Sequence, residues 1–208
     1  MRKITAGLVS AWHRFRYSAD DLIVLVDEDG RPIGTAPKRS SHNANTKLHL
    51  AFSVFLFNQR GELLLQKRAL TKKTWPGVWS NSCCGHLMPN ESTDDAARRR
   101  LKYELGLSDV DLTIVLPDFR YRAEKDGVVE NEICPVLIGV TDAQAIPHPS
   151  EVSNIQWIDW NEFLNTLNEP ERKLSPWAEE EAQLLMRSDV FRNWFVQNIA
   201  ASGASRSL

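Results

Sequence analysis

Glu130 and Glu132 are separated by one residue within the apolar segment 128–140, which the sequence predicts as a strand. Because side chains alternate along a strand, both carboxylates face the same side, about 7 Å apart. Cys134 and Val136 lie on the same side, which indicates that this face is at least partly buried. Two buried carboxylates repel each other unless a cation or water compensates them. The pattern therefore favours a cation site, although a solvent-exposed strand face would explain it as well.

Three histidines, His42, His49 and His86, lie near the ends or interiors of predicted neighbouring strands. Taken singly, each could equally be a structural residue with satisfied hydrogen bonds. Together with Glu130 and Glu132 they would form a mixed nitrogen and oxygen site. Such a site suits a borderline divalent metal such as Mn, Zn or Mg.

Cys84 lies two residues before His86, in a segment with the sequence Asn-Ser-Cys-Cys-Gly-His. Such a cysteine could be a metal ligand, a nucleophile or an acid/base group. Structural zinc usually recruits cysteine pairs two to four residues apart, and this sequence has no second pair. The three cysteines are an odd number and two are adjacent, so we expect reduced thiols and a cytoplasmic protein. Cys83 and Cys134 are interpreted as inert buried thiols.

A glycine-led segment that begins at Gly85 and ends at Gly106 resembles the Nudix box, a loop–helix–loop that holds metal-binding carboxylates beside a diphosphate. The positions that match are Gly85, Glu91, Arg99 and Glu104. Two positions where that pattern has glutamate are instead Arg100 and Tyr103. Because diphosphate hydrolysis needs several carboxylates, we expect a Nudix-type scaffold without hydrolysis. An amphipathic helix with a fortuitous Gly and Glu is the alternative on this segment alone.

The elements that must position these residues form one mixed β-sheet flanked by helices, an α/β fold of the α+β kind. Strands are predicted at residues 22–27, 48–57, 62–67, 110–115, 119–124, 128–140 and 155–159. Turn signals at 29–30 and 125–127 predict hairpins. One helix is predicted from the capping residues at 92–95 to Gly106, and a second over 178–200. Segments 39–47 and 74–86 are predicted as loops.

The chain has 208 residues, enough for one domain at 21–200 with an N-terminal extension at 1–20 and a disordered tail at 201–208. Its formal net charge is −2, so no global basic field would attract nucleic acid or an anionic membrane. The sequence also lacks an apolar run of the roughly 20 residues that a membrane helix needs. An anionic substrate must therefore be bound by a local cluster of cations.

Several stretches together resemble the type I isopentenyl-diphosphate isomerases. They are residues 46–53, 75–79, 84–86, 117–122 and 130–132. Their order along the chain is the same as in that family, and the resemblance spans about residues 20 to 180, so it is far more specific than any single motif.

The resemblance implies a role for each matching residue. It implies proton transfer by Cys84 and Glu132, with the acid and the base unassigned. It implies metal ligation by His42, His49, His86, Glu130 and Glu132. It further implies that Glu104 helps to hold a Mg ion bound with the substrate diphosphate. The implied diphosphate-binding cations are Lys38, Arg68 and Lys72, and the implied aromatic residues of the pocket are Tyr121 and Trp177.

The implied reaction interconverts isopentenyl and dimethylallyl diphosphate by protonation and deprotonation, a step of isoprenoid biosynthesis. The expected partner is this small molecule, with neither nucleic acid nor membrane, and the oligomeric state is left open. Two other functions remain alternatives: a Nudix hydrolase of a nucleoside diphosphate derivative, and a non-catalytic binding domain. Isomerase and metal assays would distinguish them.

Overall fold

The computed structural model describes residues 22–167, 169 and 173–200. Its strands are β1 (Leu22–Val26), β2 (Pro32–Pro37), β3 (His49–Phe57), β4 (Glu62–Arg68), β5 (Trp79–Ser80), β6 (Cys83–His86), β7 (Leu112–Leu116), β8 (Arg120–Lys125), β9 (Val128–Ile133), β10 (Val136–Val140) and β11 (Val152–Asp159). Its helices are α1 (Lys38–Ser41), α2 (Thr93–Leu105), α3 (Trp160–Asn165), α4 (Pro176–Arg187) and α5 (Asp189–Phe195), followed by a π-helical turn, Val196–Ala200. The predicted extension at 1–20 and the predicted tail at 201–208 lie outside the described residues.

Strand β3 is the centre of the mixed sheet. It pairs antiparallel with β1, β4 and β6, and parallel with β9 and β10. The outer strands are added antiparallel: β2 to β1, β11 to β4, β8 to β9 and β7 to β10. Strands β6 and β9 therefore lie beside the central strand, with β8 next to β9.

The two faces of β3 bury different sets of side chains. Phe52, Val54 and Leu56 face helix α2 and pack with its Leu101 and Leu105. The alternate residues of β3 face the C-terminal helices in a second cluster that includes Phe55, Phe57, Phe163, Trp177, Leu185 and Phe191. The predicted mixed sheet with helices on its faces is confirmed. In the part of the chain that is described, no helix has both the length and the apolar content to cross a membrane.

Local signals determine the ends of α2 and the turn between β8 and β9. The Ser92 side chain accepts a hydrogen bond from the backbone N–H of Asp95 at 3.1 Å, and Gly106 closes the helix with φ +67°. In the hairpin, Asp126 and Gly127 have φ +53° and +73°, the positive values that a tight two-residue turn requires. Both predictions are confirmed.

The predicted strand over 128–140 is wrong as a single element. It divides into β9 and β10 around Cys134 and Pro135. Pro135 has no backbone N–H to donate to a ladder, although its carbonyl still accepts the Ser53 N–H at 3.0 Å. The division lets β9 pair with the start of β3 and β10 pair with the remainder.

Three other segments differ from their predicted structure. The segment 74–86 contains the short strands β5 and β6, and the polar segment 39–47 begins within the short helix α1. The predicted helix over 178–200 is broken at Ser188, whose side chain caps α5 by accepting from the Phe191 N–H at 3.3 Å. Ser at this position competes for backbone hydrogen bonds and so favours a helix start over a helix interior.

Candidate active site

A cavity of about 600 Å³ opens on the face of the sheet formed by β6, β8 and β9 and is bounded by α1 and α4. All of the candidate residues except His49 and Glu104 line it. His49 is completely buried behind the cavity wall, and Glu104 lies on α2 behind Arg100. The folded chain therefore brings together residues that are as distant in sequence as Lys38 and Trp177.

The three histidines and two glutamates form a compact cluster. One potential ligand atom from each of His42, His49, His86, Glu130 and Glu132 lies within 4.8 Å of all the others. The sheet register explains the arrangement, because His49 of β3 pairs with Glu132 of β9, and Ala51 pairs with His86 of β6. His42 is the residue immediately after α1.

Buried ligand atoms without a hydrogen-bond partner indicate that this cluster suits a cation. Among the described residues, Nε2 of His42 and His49, Nδ1 of His86 and Oε2 of Glu130 have none. His42 Nε2 and Glu130 Oε2 lie 3.0 Å apart without hydrogen-bond geometry, as expected for two atoms directed at a shared centre. Leaving such atoms unpaired is costly, so the donor set fits a divalent metal.

Neighbouring groups fix the orientation of two ligands. His49 Nδ1 lies 2.8 Å from the Lys47 carbonyl oxygen, which only accepts, so Nδ1 carries a hydrogen and Nε2 is the nitrogen available to a metal. The Tyr121 hydroxyl donates to Glu132 Oε2 at 2.8 Å, and His86 Nε2 lies 3.0 Å from Glu132 Oε1. The Glu132 carboxylate is thus held at both oxygens.

Two of the ligands have pKa shifts toward the form that binds metal, whereas burial lowers the pKa of His49 but the neighbouring Glu132 raises it overall. Burial lowers the pKa of His86 well below its ordinary value, and the charges of Lys38, His49 and His42 lower it further. Burial by itself would raise the pKa of Glu132, but His49, whose Nε2 lies 3.3 Å from Glu132 Oε1, and the charge of His42 lower it overall. His86 is therefore neutral and Glu132 is ionised, as metal ligation requires.

Cys83 and Cys84 point to opposite sides of β6. Cys83 is fully buried in the cluster with Phe52 and Leu101, whereas Cys84 lines the cavity. Burial raises the pKa of Cys84 to about 12, against the opposing effect of Arg68, whose Nη1 donates to the sulfur at 3.7 Å. At neutral pH the Cys84 thiol is therefore protonated and can donate a proton.

Aromatic side chains form one wall of the cavity. Trp177 is 2 % exposed, and its ring centroid lies 5.3 Å from that of Trp75 and 5.6 Å from that of Tyr121. The Arg68 guanidinium carbon lies 5.4 Å over the Trp177 ring. A ring face, rather than its edge, is therefore directed at positive charge within the cavity.

One end of the cavity is rich in cations. Lys38, Lys72 and Arg100 line it together with one carboxylate, Glu151, and Arg68 connects this end to Trp177 and Cys84. Glu151 Oε2 lies 2.5 Å from Lys72 Nζ and 3.1 Å from Arg100 Nη2, and Arg100 also binds Glu104. This grouping fits a multiply charged anion such as a diphosphate.

The sequence alone did not identify Arg100 and Glu151 as site residues. Arg100 was noted only as a departure from the Nudix pattern, although its spacing of four residues from Glu104 on a helix indicates an ion pair. Glu151 has no local signal, because it reaches the cavity through the turn that precedes β11. Its proximity to Lys72 depends on backbone contacts such as the Ala69 N–H donating to the Glu151 carbonyl at 2.9 Å.

The charged groups at this end of the cavity shift the pKa of Lys38 and of Glu151. Burial, then repulsion from Arg100 and Lys72, lowers the pKa of Lys38 to about 7, with Glu151 and Glu104 acting in the opposite direction. Burial would raise the pKa of Glu151, but the charges of Arg100 and Lys72 lower it to about 2. Glu151 is therefore ionised at neutral pH, while Lys38 is only partly charged.

Comparison with known proteins matches residues 47–178 to the NUDIX domain. The chain is 50% identical over 166 residues to an isopentenyl-diphosphate Delta-isomerase of Mycolicibacterium vanbaalenii, covering 79% of this chain and 91% of that protein. It is 44% identical over 185 residues to one of Clavibacter michiganensis, covering 88% and 95%.

Solved structures show the same fold at low identity. DR0079 from Deinococcus radiodurans superimposes with a TM-score of 0.62 at 18% identity, over 81% of this chain and 99% of that one. The MutT protein from Methanosarcina mazei gives 0.55 at 18% identity, over 67% and 94%. With the isomerases similar over most of both chains, this protein belongs to the isopentenyl-diphosphate Delta-isomerase family of NUDIX-domain proteins.

Proposed function

We propose that this isomerase interconverts isopentenyl and dimethylallyl diphosphate by proton transfer at Cys84 and Glu132. The observation that carries the proposal is that both side chains line one cavity, Glu132 as part of the histidine–glutamate cluster and Cys84 next to Arg68 of the cation group. The reaction adds a proton to one carbon of the alkene and removes a different proton from a neighbouring carbon. It therefore needs one group that holds a proton and one that does not.

The protonation states of the two residues support these roles. Burial raises the pKa of the Cys84 thiol to about 12, so it holds its proton at neutral pH. The Glu132 carboxylate has a lowered pKa despite its burial and is ionised. A turnover leaves Cys84 as the thiolate and Glu132 as the acid, so proton exchange with solvent must restore the starting states. By microscopic reversibility, the reverse reaction starts from the thiolate and the acid.

The metal proposal assigns a divalent Mn, Zn or Mg ion to His42, His49, His86, Glu130 and Glu132. When bound, such an ion supplies positive charge that neutralises the carboxylates and tunes the proton affinity of Glu132. The protein itself holds the Glu132 carboxylate through a hydrogen bond from the Tyr121 hydroxyl. Burial raises the pKa of Tyr121 well above its ordinary value, so this hydroxyl stays protonated.

The diphosphate proposal assigns Lys38, Arg68 and Lys72 to substrate binding and adds Arg100, which lines the same end of the cavity. Binding energy at this end positions an alkene that has no polar groups of its own. Glu104 is proposed to hold a Mg ion that accompanies the diphosphate. Because the Glu104 carboxylate is paired with Arg100, its oxygens would be shared between Arg100 and the Mg ion.

Trp177 and Tyr121 are proposed to shield the intermediate. Protonation of the alkene creates a tertiary carbocation, which water would trap. Trp177 presents its ring on the cavity side, where a desolvated cation–π contact stabilises positive charge by about 2 kcal/mol.

The test combines a product assay with metal analysis of wild type and Glu130→Gln, a neutral substitution of similar shape. We expect wild type to form the acid-labile allylic diphosphate and to retain a divalent ion at the cluster. We expect Glu130→Gln to bind that ion more weakly, by at least the roughly 10- to 100-fold that loss of an outer-shell partner costs, and to lose activity until metal is added in excess.

Glu28→Gln is the matched control, since Glu28 is an exposed residue paired with Arg120. Full activity of rigorously metal-free wild type would contradict the metal proposal. Release of phosphate from nucleoside diphosphate derivatives, without allylic product, would favour the hydrolase alternative. That alternative is weakened by the arginine and tyrosine at positions 100 and 103.

A further inference from the structure

Asn81 is a fully buried amide that joins several parts of the site. Its Nδ2 donates to the carbonyl oxygens of Val54 at 3.1 Å and Cys83 at 3.0 Å. Its Oδ1 accepts from Trp177 Nε1 at 3.2 Å and from Ser80 Oγ at 2.8 Å. These contacts use both donors and both acceptor positions of the side chain.

The orientation of this amide is unambiguous. Two carbonyl oxygens can only accept, and the indole nitrogen of Trp177 can only donate, so the Asn81 nitrogen and oxygen cannot be exchanged. A fully satisfied buried network of this kind is rigid, because any rotation of the amide would leave buried groups unpaired.

Asn81 connects the aromatic wall to the strand that bears Cys84. Trp177 lies on α4, whereas the Cys83 carbonyl belongs to the peptide that immediately precedes Cys84 on β6. Val54 adds the central strand β3 to the same junction. The position of the indole is thus coupled through a single side chain to the position of the cysteine.

The direction in which the indole ring faces matters for the proposed chemistry. An aromatic ring attracts a cation at its face and repels it at its edge. Trp75 packs at right angles to the Trp177 ring, with an interplanar angle of 81°, and restricts it on one side. The hydrogen bond from Nε1 to Asn81 removes the remaining freedom of rotation in the ring plane.

We propose that Asn81 is a positioning residue that holds the face of Trp177 toward the cation formed during isomerisation. This inference rests on the proposed role of Trp177. Asn81 is fully buried and does not line the cavity, so it touches neither the substrate nor the reacting atoms, and its effect is exerted through Trp177 and the Cys83–Cys84 peptide.

The test compares two ligands in the presence of Mg: inorganic pyrophosphate, and a diphosphate ester with a dimethylammonium group in place of the branched carbon. The second ligand imitates the cation, and the first reports only on the diphosphate end. For Asn81→Ala we expect binding of the ammonium ligand to weaken by about 30-fold, the factor that corresponds to loss of about 2 kcal/mol of cation–π energy. Pyrophosphate binding and KM should be nearly unchanged, and kcat should fall by a similar factor.

Two further variants keep the proposal falsifiable. Asn81→Asp retains an oxygen for Trp177 and, as a buried neutral acid, one donor, so we expect it to restore most of the ammonium affinity. Ser80→Ala removes a different hydrogen bond to the same oxygen and should bind both ligands as wild type does. If Asn81→Ala does not fold, Asn81→Asp becomes the test of the proposal. An Asn81→Asp protein that folds but no longer binds the ammonium ligand more tightly than pyrophosphate would overturn the proposal.

Other outcomes separate this inference from the proposed function. Equal weakening of both ligands in Asn81→Ala would indicate a structural role only and would overturn the inference. Trp177→Leu should lose the same selectivity for the ammonium ligand. If Trp177→Leu keeps this selectivity, the proposed role of Trp177 fails. If Trp177→Leu loses the selectivity and Asn81→Ala keeps it in full, only the Asn81 inference is refuted.

Discussion

Replacing Cys84 by alanine should impair activity, whereas replacing the adjacent Cys83 by alanine should impair stability. Cys84 lines the cavity and holds a proton, so Cys84→Ala should remove nearly all isomerisation while leaving the fold and the metal content close to normal. Cys83 is fully buried on the other face of β6, against Phe52 and Leu101. Cys83→Ala should therefore reduce stability and leave turnover almost unchanged.

The expected magnitudes differ enough to be separated easily. Removing a proton-transfer group typically lowers the rate by roughly 10² to 10⁴-fold. Removing one buried sulfur from a packed cluster costs about 1 kcal/mol of unfolding free energy, which for a chain of this size lowers Tm by about 2–4 °C. A loss of that size leaves almost all of the protein folded at 25 °C, so the rate per folded molecule should stay the same.

The assay is turnover of isopentenyl diphosphate at saturating Mg, with thermal melting and metal content measured on the same preparations. The two variants are each other's control, since they differ by one residue in position and remove the same atom. An inactive Cys83→Ala together with an active Cys84→Ala would refute the assignment of Cys84 and the argument from strand alternation.

Lys38 and the N-terminal segment allow two more tests. Because burial and the nearby cations lower the pKa of Lys38 to about 7, and a bound diphosphate would raise it, KM should increase as the pH rises above about 7. In Lys38→Arg, which stays charged, KM between pH 7 and 9 should be flat; the same slope in both proteins would refute the role of Lys38. Deleting residues 1–16 should leave kcat and the melting temperature nearly unchanged, because the motif-bearing residues lie beyond them. A folded but inactive truncated protein would instead show that this segment contributes to the site.

Features that depend on neighbouring residues could be predicted from the sequence. The limits of α2 follow from Ser92 and Gly106, whose capping preferences act within one turn of the helix. The shared face of Glu130 and Glu132 follows from strand alternation, and both are buried in the cluster. Residue type and positions near predicted neighbouring strands suggested that His42, His49 and His86 could join them, and the resemblance to the isomerases implied the same ligand set.

Features that depend on how distant elements pair were decided only by the tertiary structure. The division of segment 128–140 at Pro135 became evident only when β9 and β10 paired with different parts of β3. Glu151 meets Lys72 and Arg100 because the turn before β11 is bonded to the segment after β4. A sequence pattern has no information about such distances, since the register of strands far apart in the chain is set by the packing of the whole sheet.

The hydrogen-bond network around Asn81 also combines features that the sequence indicated with features that only the folded chain revealed. The sequence by itself identified Cys84 as a candidate through its Cys-Gly-His context, and Trp177 through the family resemblance. Only the folded chain placed the Asn81 amide between the Trp177 indole and the peptide before Cys84. The physical reason is that a buried amide must find all of its hydrogen-bond partners inside the protein, and those partners come from strands and a helix that meet only after folding.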